Sequence, residues 1–142
     1  MTLPTKLLAF VLSLMLPAVA AAQTSAAADD YNSRGLAKEA KGDHDGAIAD
    51  YNRAIELNPK YAGAYNNRGL AKQARGLASG LVREAKGDLD GAIADFNRAL
   101  ALDPKFDISY IRGLAREAKG DHDGAIADYN RGLELAAKLA KP

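Results

Sequence analysis

The sequence contains no cysteine and no tryptophan, and only two histidines and three phenylalanines among its 142 residues. Without cysteine the chain forms no disulfide, thiolate metal site or cysteine nucleophile. No excess of one charge is present either, since 19 basic and 18 acidic residues give a formal net charge of +1. Nucleic-acid binding usually leaves a basic footprint, so we expect no nucleic-acid partner. Hydrophobic residues make up 48% of the chain, many of them alanine, which favours a closely packed helical core.

The N-terminal residues have the composition of a secretory signal peptide. Lys6 precedes an apolar run at 7–16, Pro17 is expected to break that run, and small residues follow it. A positive start, a short apolar stretch and an Ala-x-Ala pattern are typical of such signals. We predict a signal peptide over residues 1–22, cleaved after Ala22, with Ala20 and Ala22 as the small residues that the peptidase reads. The alternative is an N-terminal core helix.

Cleavage after Ala22 predicts a protein exported to the periplasm or the exterior. The run at 7–16 is too short to span a bilayer, so we expect no membrane span in the mature form. Removing Lys6 leaves 18 basic and 18 acidic residues, which is a formal charge of zero. Residues 23–28 are predicted to be a flexible lead-in.

One fifteen-residue phrase recurs along the chain. EAKGDHDGAIADYNR occupies 39–53 and 117–131, and the near copy EAKGDLDGAIADFNR occupies 84–98. RGLAK at 34–38 returns at 68–72, an offset of 34 residues. The offsets of 45 and 33 between the long phrases therefore indicate a unit of 34 residues with an insertion of 11 and a deletion of one.

Each unit is predicted to be a pair of helices. The first helix should run from Asp30 to about Lys41 and end at Gly42, because glycine takes the left-handed conformation without steric cost. Asp43 stands where an N-cap belongs, and the apolar stripe at Ala47, Ile48, Tyr51, Ala54 and Ile55 has helical spacing. Asn58–Pro59 and Asp103–Pro104 should end the second helices, since proline does not continue a helix.

Residues 28–61 resemble one motif of the tetratricopeptide repeat family through Tyr31, Gly35, Ala47, Tyr51, Ala54 and Pro59. The resemblance implies an all-α fold, with tetratricopeptide-type helical hairpin repeats stacked as a short right-handed α-solenoid. The expected domain covers 28–141, with units at 28–61, 62–106 and 107–141. The residues expected to pack the repeats together are Tyr31, Gly35, Ala47, Tyr51, Ala54, Pro59, Gly69, Ala92, Phe96, Ala99, Pro104, Gly113, Ala125 and Tyr129.

The sequence departs from the family pattern in three places. Arg34, Arg68 and Arg112 stand where an aliphatic residue is usual, and Lys38 and Lys72 stand where an aromatic is usual. The neighbouring Leu36, Leu70 and Leu114 are expected to take over part of the packing. Gly132 and Ala137 replace the usual alanine and proline of the third unit, so the last helix is expected to run on to the chain end.

The eleven inserted residues lie near 76–86. Eleven residues rotate a helix about 20° past three full turns, so we predict one continuous helix over 62–86. The alternative is a break around Gly76–Ser79–Gly80, because an interior glycine costs roughly 1 kcal/mol. A continuous helix would overhang its neighbours and leave Leu77, Leu81 and Val82 without a partner. Such exposed apolar surface predicts self-association or partner binding at the overhang.

Catalytic chemistry has little support in the sequence. The triplets Asp43–His44–Asp45 and Asp121–His122–Asp123 resemble carboxylate–imidazole metal ligands, but the middle copy carries Leu89 in place of histidine. We therefore favour a capping turn, and we expect no catalytic residues, no cofactor and no metal. A metal-dependent or hydrolytic enzyme is the alternative, and a shortened array without an independent role is another.

The resemblance implies that the first helices line a concave groove that binds a peptide or protein segment. Some family members capture a chaperone's C-terminal carboxylate with lysine, asparagine and arginine; Asn67 matches one of those positions, whereas Asn32 and Leu36 do not. We therefore expect a non-enzymatic interaction module with a different ligand. The residues expected in the groove are Asn32, Ser33, Glu39, Asn66, Asn67, Gln73 and Glu84.

Overall fold

The structure is a computed structural model that describes the backbone of residues 5–105 and 108–140, and the side chains of 19–105 and 108–140. Each helix packs against the next along the chain, and the first also contacts the third. Three helical hairpins therefore stack in sequence order, which confirms the predicted all-α repeat solenoid. The helices in the described part are α1 (Thr5–Glu39), α2 (His44–Leu57), α3 (Ala62–Ala78), α4 (Val82–Leu102), α5 (Ser109–Lys119) and α6 (His122–Leu139).

Local signals set most of the helix boundaries as predicted. The Asp43 side chain caps α2 by accepting a hydrogen bond from the Gly46 N–H, and Asp121 caps α6 in the same way through Gly124. Glycines 42 and 120 have φ values of 76° and 90°, a conformation that side chains rarely adopt. The second helices of the first two hairpins end at Leu57 and Leu102, immediately before Asn58–Pro59 and Asp103–Pro104.

A glycine on the first helix meets an aromatic ring of the second helix in every hairpin. A Cβ atom built on Gly35 would lie 2.5 Å from the Tyr51 ring, and one on Gly69 would lie 2.6 Å from the Phe96 ring. The third hairpin repeats this contact between Gly113 and Tyr129. The missing side chain therefore lets the two helices approach closely.

The expected break at Pro17, the flexible lead-in at 23–28 and the helix start at Asp30 need correction, whereas the signal peptide stays a prediction. Helix α1 begins at Thr5, so it runs through Pro17, the predicted lead-in at 23–28 and Asp30 without interruption. Proline fixes a φ angle that is compatible with a helix, so inside one it costs a hydrogen bond without forcing the chain to end there. Ala28 is fully buried, which places the end of the lead-in within the packed array. Residues 1–4 of the predicted signal peptide lie outside the described residues.

The predicted continuous helix over 62–86 is wrong, and the alternative break is present. Helix α3 ends at Ala78, Gly80 has a φ of 64°, and α4 starts at Val82. The Ser79 hydroxyl donates to the Gly76 carbonyl at 3.0 Å and accepts from the Leu81 N–H at 3.3 Å. Folding back lets the start of α4 pack on α3, whereas a straight helix would leave these turns unpacked.

Helix α6 continues to Leu139, as the replacement of proline by Ala137 predicted. Lys141, at the end of the predicted third unit, lies outside the described residues. In the part of the chain that the structure describes, no helix has both the length and the hydropathy needed to cross a membrane.

Candidate functional site

Three asparagines join the first helices of the first two hairpins. The Asn67 amide donates to Asn32 Oδ1 at 2.9 Å, and the Asn66 amide lies 3.4 Å from Asn67 Oδ1. Asn32 and Asn66 are buried. Asn66 Oδ1 has no hydrogen-bond partner among the described residues, so one buried acceptor is left over at this seam.

A row of leucines continues the face on which the asparagines lie. Leu36 and Leu70 each stand four residues after a buried asparagine, and Leu114 holds the same repeat position in α5. All three are between 36% and 49% exposed. Each leucine is therefore partly covered, and the remaining exposed parts form an apolar strip that faces solvent. The recurring sequence RGLA places one leucine at this position in every unit, so the strip could have been predicted from the repeat.

The remaining predicted groove residues do not all lie on this face. Ser33 is exposed on α1, and Gln73 is partly exposed on α3. Glu39 Oε1 lies 2.8 Å from His44 Nδ1, so it is tied to its own hairpin. Glu84 begins the repeated phrase at 84–98, whose first residues were expected to end a first helix. In the structure Glu84 lies in the first turn of the second helix, α4. It lines a separate hollow with Asp45 and Asp88, away from the asparagines.

The predicted overhang is a hairpin tip, and its apolar residues are exposed. Leu77, Leu81 and Val82 are between 57% and 86% exposed. Val82 also lines a shallow groove with Leu89 of α4 and Ala118 of α5. The predicted exposed apolar surface is therefore present. It is formed by the end of α3, the start of α4 and the turn between them, not by a continuous helix.

The third hairpin closes one end of the groove with aromatic residues. Tyr110 stands at the position of Asn32 and Asn66, and its ring lies 5.4 Å from that of Tyr129. The Tyr129 hydroxyl donates to Glu117 at 2.6 Å, and this hydrogen bond raises the pKa of Tyr129 to about 12. These side chains are held in fixed positions beside the leucine strip.

The unusual cations of the sequence pair with a buried aspartate in every hairpin. Arg68 Nε donates to Asp95 at 2.9 Å, and Lys72 Nζ donates to the same carboxylate at 2.8 Å. The first hairpin repeats this arrangement with Arg34, Lys38 and Asp50, and the third repeats it with Arg112, Arg116 and Asp128. The aspartates are 2–4% exposed. Sequence reasoning missed them, although Asp recurs in every copy of ADYN or ADFN.

All three residues of the first Asp-His-Asp triplet have structural contacts, and Asp121 of the second triplet is the N-cap of α6. Asp43 caps α2, Asp45 pairs with Arg75 at 2.7 Å, and His44 contacts Glu39. The equivalent Leu89 is buried in the core, because α4 starts earlier than α2 or α6. Across residues 5–105 and 108–140, no three His, Cys, Asp or Glu side chains are grouped closely enough to hold a metal ion.

Stacked helical hairpins with an exposed row of leucine side chains define an α-helical repeat protein. Two sequence profiles of such a repeat match the chain, one described as TPR repeat over residues 35–76 and the other as tetratricopeptide repeat over residues 77–140. Together they account for the whole stretch from 35 to 140. The chain belongs to the tetratricopeptide repeat family. No curated protein sequence is similar enough to match it.

Solved structures share this architecture. A crystal structure of MamA has a TM-score of 0.69 and 31% identity, over 84% of this chain and 63% of that one. The TPR domain of Arabidopsis OM64 has a TM-score of 0.68 and 26% identity, over 79% of this chain and 84% of that one. The second TPR domain of Spaghetti (RPAP3), bound to the HSP90 peptide SRMEEVD, has a TM-score of 0.67 and 25% identity, over 80% of this chain and 95% of that one. This chain thus spans less than two thirds of the MamA chain.

Proposed function

We propose that this protein is a non-enzymatic adaptor that binds a protein or peptide segment along the face formed by Asn66, Leu36, Leu70 and Leu114. The exposed strip of Leu36, Leu70 and Leu114, which recurs once per hairpin, is the observation that carries the proposal. Apolar side chains of a bound segment would cover these leucines, whereas Asn66 Oδ1 is buried beneath the face. A related TPR domain is solved with a peptide bound, which supports a ligand of this kind.

The charges of the face favour a ligand that is apolar with a neutral or basic flank. Glu39 and Glu117 lie on the same side of α1 and α5, three residues after the exposed leucines. Both are already hydrogen-bonded within their hairpins, Glu39 to His44 and Glu117 to Tyr129. The electrostatic potential of these two carboxylates at the face is therefore negative but weak. Capture of a C-terminal carboxylate has no lysine or arginine to support it at the positions of Asn32 and Leu36.

The proposal is tested by capture with crosslinking and mass spectrometry from the source organism. The Leu70→Glu/Leu114→Glu variant should lose a partner that the wild type recovers, because the substitutions place charge on the apolar strip. Leu77→Glu/Leu81→Glu is the matched control, since it changes two exposed leucines at the hairpin tip in the same way. Loss of the partner in the control alone would move the binding surface to the tip, and retention by both variants would refute both surfaces.

Export of the mature chain from Gln23 is part of the proposal. Residues 19–26 are exposed on α1, and close burial starts only at Ala28, so cleavage after Ala22 would leave the packed array intact. N-terminal sequencing of protein from envelope and secreted fractions should give Gln23 as the first residue. An unprocessed N-terminus on protein confined to the cytosolic fraction would contradict export.

The enzyme and remnant alternatives have their own tests. Saturable, stoichiometric zinc binding in a calorimetric titration would support the alternative of a metal-dependent enzyme. A shortened array without an independent role should show no cooperative unfolding in urea.

A further inference from the structure

Consecutive hairpins are joined by the same arginine–asparagine contact at both internal joints. Arg68 Nη1 of α3 donates to Asn52 Oδ1 of α2 at 2.7 Å. Arg112 Nη1 of α5 donates to Asn97 Oδ1 of α4 at 2.6 Å. The two pairs occupy equivalent positions of the repeat, so the contact is a property of the joint itself.

A second polar contact also recurs at both joints. Arg75 at the end of α3 pairs with Asp45 at the start of α2, at 2.7 Å. Lys119 at the end of α5 pairs with Asp90 on α4. Each joint thus has a cation on the later hairpin and an aspartate on the earlier one.

Apolar contacts lie between these two polar contacts. Ala71 of α3 is fully buried against Ile48 of α2 in one core cluster. Ala115 of α5 is fully buried in the cluster that contains Leu100 of α4. Each joint therefore has a small residue on the later hairpin that packs on aliphatic residues of the earlier one.

Helix α1 has the residues that α3 contributes to a joint, but no hairpin packs on them in the described structure. Arg34, Ala37 and Lys41 stand where Arg68, Ala71 and Arg75 stand one unit later. Ala37 is exposed, and the Lys41 side chain has no ion pair with any described residue. The Arg34 side chain is 58% exposed, against 18% for Arg68 and 13% for Arg112.

Helix α6 has the residues that α2 contributes to the first joint, and they too have no partner helix in the described structure. Asp123, Ile126, Asn130 and Leu133 of α6 stand at the positions of Asp45, Ile48, Asn52 and Ile55 of α2. Ile126 is 56% exposed and Leu133 is 70% exposed. Their counterparts in the first two hairpins are less exposed: Ile48 and Leu100 are 9% and 7% exposed, and Ile93 and Ile55 are partly buried. Asp123 and Asn130 form no side-chain hydrogen bond or ion pair with another described residue.

We propose that copies of this chain stack end to end, with α6 of one copy packed against α1 of the next. The joint would repeat the internal one, with Asn130 accepting from Arg34 of the next copy, Asp123 pairing with Lys41, and Ile126 and Leu133 covering Ala37. Such an interface uses different surfaces on its two sides, so each copy keeps a free surface for the next one unless the rotation between copies closes a ring. Because the joint would repeat the internal one, it would extend the stack of hairpins rather than close a dimer. This self-assembly is independent of ligand binding in the groove.

Asp30 makes this joint weaker than the internal ones. It stands where Ala64 and Ile108 are buried at the internal joints. Burying a carboxylate there costs free energy that alanine does not. Association of the copies should therefore be weak. Asp30→Ala should strengthen it by about threefold or more.

The decisive test is a charge exchange measured by sedimentation velocity over a range of protein concentrations. The protein is purified after expression of the full sequence, so that any natural processing is retained. Wild type should show a weight-average mass that rises continuously with concentration. Lys41→Asp and Asp123→Lys should each weaken association by about threefold, and the double variant should restore it. All three variants change exposed, unpaired side chains, so the fold should be retained. Asp123→Lys also replaces the acidic residue in the first turn of α6, so circular dichroism of each variant is compared with that of wild type.

A second pair of variants tests the apolar part of the joint. Ile126→Glu/Leu133→Glu should reduce association by at least about tenfold. Ala94→Glu/Ala127→Glu is the matched control, because both alanines and their counterpart Ala49 are exposed in every hairpin. A monomer at all concentrations, a closed dimer of fixed mass, or association lost only with Leu77→Glu/Leu81→Glu would overturn the proposal.

Discussion

In each hairpin a glycine of the first helix lies directly against an aromatic ring of the second helix. We expect Gly69→Ala to lower the free energy of unfolding by about 1–3 kcal/mol, because the new methyl group would lie 2.6 Å from the buried Phe96 ring. Urea unfolding followed by circular dichroism measures the change.

Gly87→Ala is the control for this substitution. Gly87 lies inside α4, and a Cβ atom there would meet nothing within 4 Å. Alanine should therefore stabilise the protein by about 0.5–1 kcal/mol through its helix propensity. Equal destabilisation by both substitutions would show that the ring contact is not the cause.

Asp50 should make stability depend on acid pH. The hydrogen bond from Arg34, together with Lys38, lowers the pKa of Asp50 from 3.8 to about 2. The folded state therefore binds this proton less readily than the unfolded state, so its contribution is complete above about pH 4 and lost as pH falls to about 2. The contribution should be on the order of 2 kcal/mol.

The Asp50→Asn variant isolates this contribution from that of the other carboxylates. Its deficit in unfolding free energy relative to wild type should be largest near neutral pH and should shrink between pH 4 and 2. A deficit that is the same at pH 6 and pH 2.5 would contradict the assignment.

The inserted segment lengthens one hairpin without altering the joints on either side. Arg75 still pairs with Asp88 at 2.6 Å across the hairpin and with Asp45 across the joint. Gly76 lies where a Cβ atom would be 2.9 Å from Asp88, so the added turns are packed against each other. The insertion is therefore accommodated as two additional helix ends.

Deleting residues 76–86 should give a folded protein. The deletion joins Arg75 to Gly87, so that the sequence RGDLDGA takes the place of KGDHDGA in the other hairpins. Gly87 would then end the first helix and Asp88 would cap the second. Circular dichroism should show a helical protein with a cooperative urea transition. Loss of the transition would mean that the tip itself is needed for folding.

The described part of the array has few large buried side chains, and most of its buried hydrophobic residues are alanines. In repeat proteins each hairpin is stabilised mainly by its neighbours, and three units are about the minimum for a stable stack. We expect one cooperative urea transition for the full chain, with the fastest amide exchange in α6, which is covered on one side only. A featureless transition would support the remnant reading.

Sequence reasoning predicted the repeat unit, the hairpins and most caps, because their signals lie within a few residues of each other. It failed where the outcome depends on partners further away. The Arg68–Asp95 pair joins residues 27 positions apart, and the arginines were therefore noted only as departures from a pattern. For the groove, the asparagines were predicted, whereas Leu36, Leu70 and Leu114 were expected only to share in the packing and not to form an exposed strip.

The sequence by itself determined that helical hairpins repeat, since the 34-residue period, the aspartate caps, the glycine stops and the proline stops act on the local backbone. Only the tertiary structure decided where the inserted residues break. Gly76, Ser79 and Gly80 permit a turn but do not require one, and the packing of α4 on α3 selects it. The tertiary structure also decided which recurring residues are covered, because identical positions are buried at internal joints and exposed at the two ends.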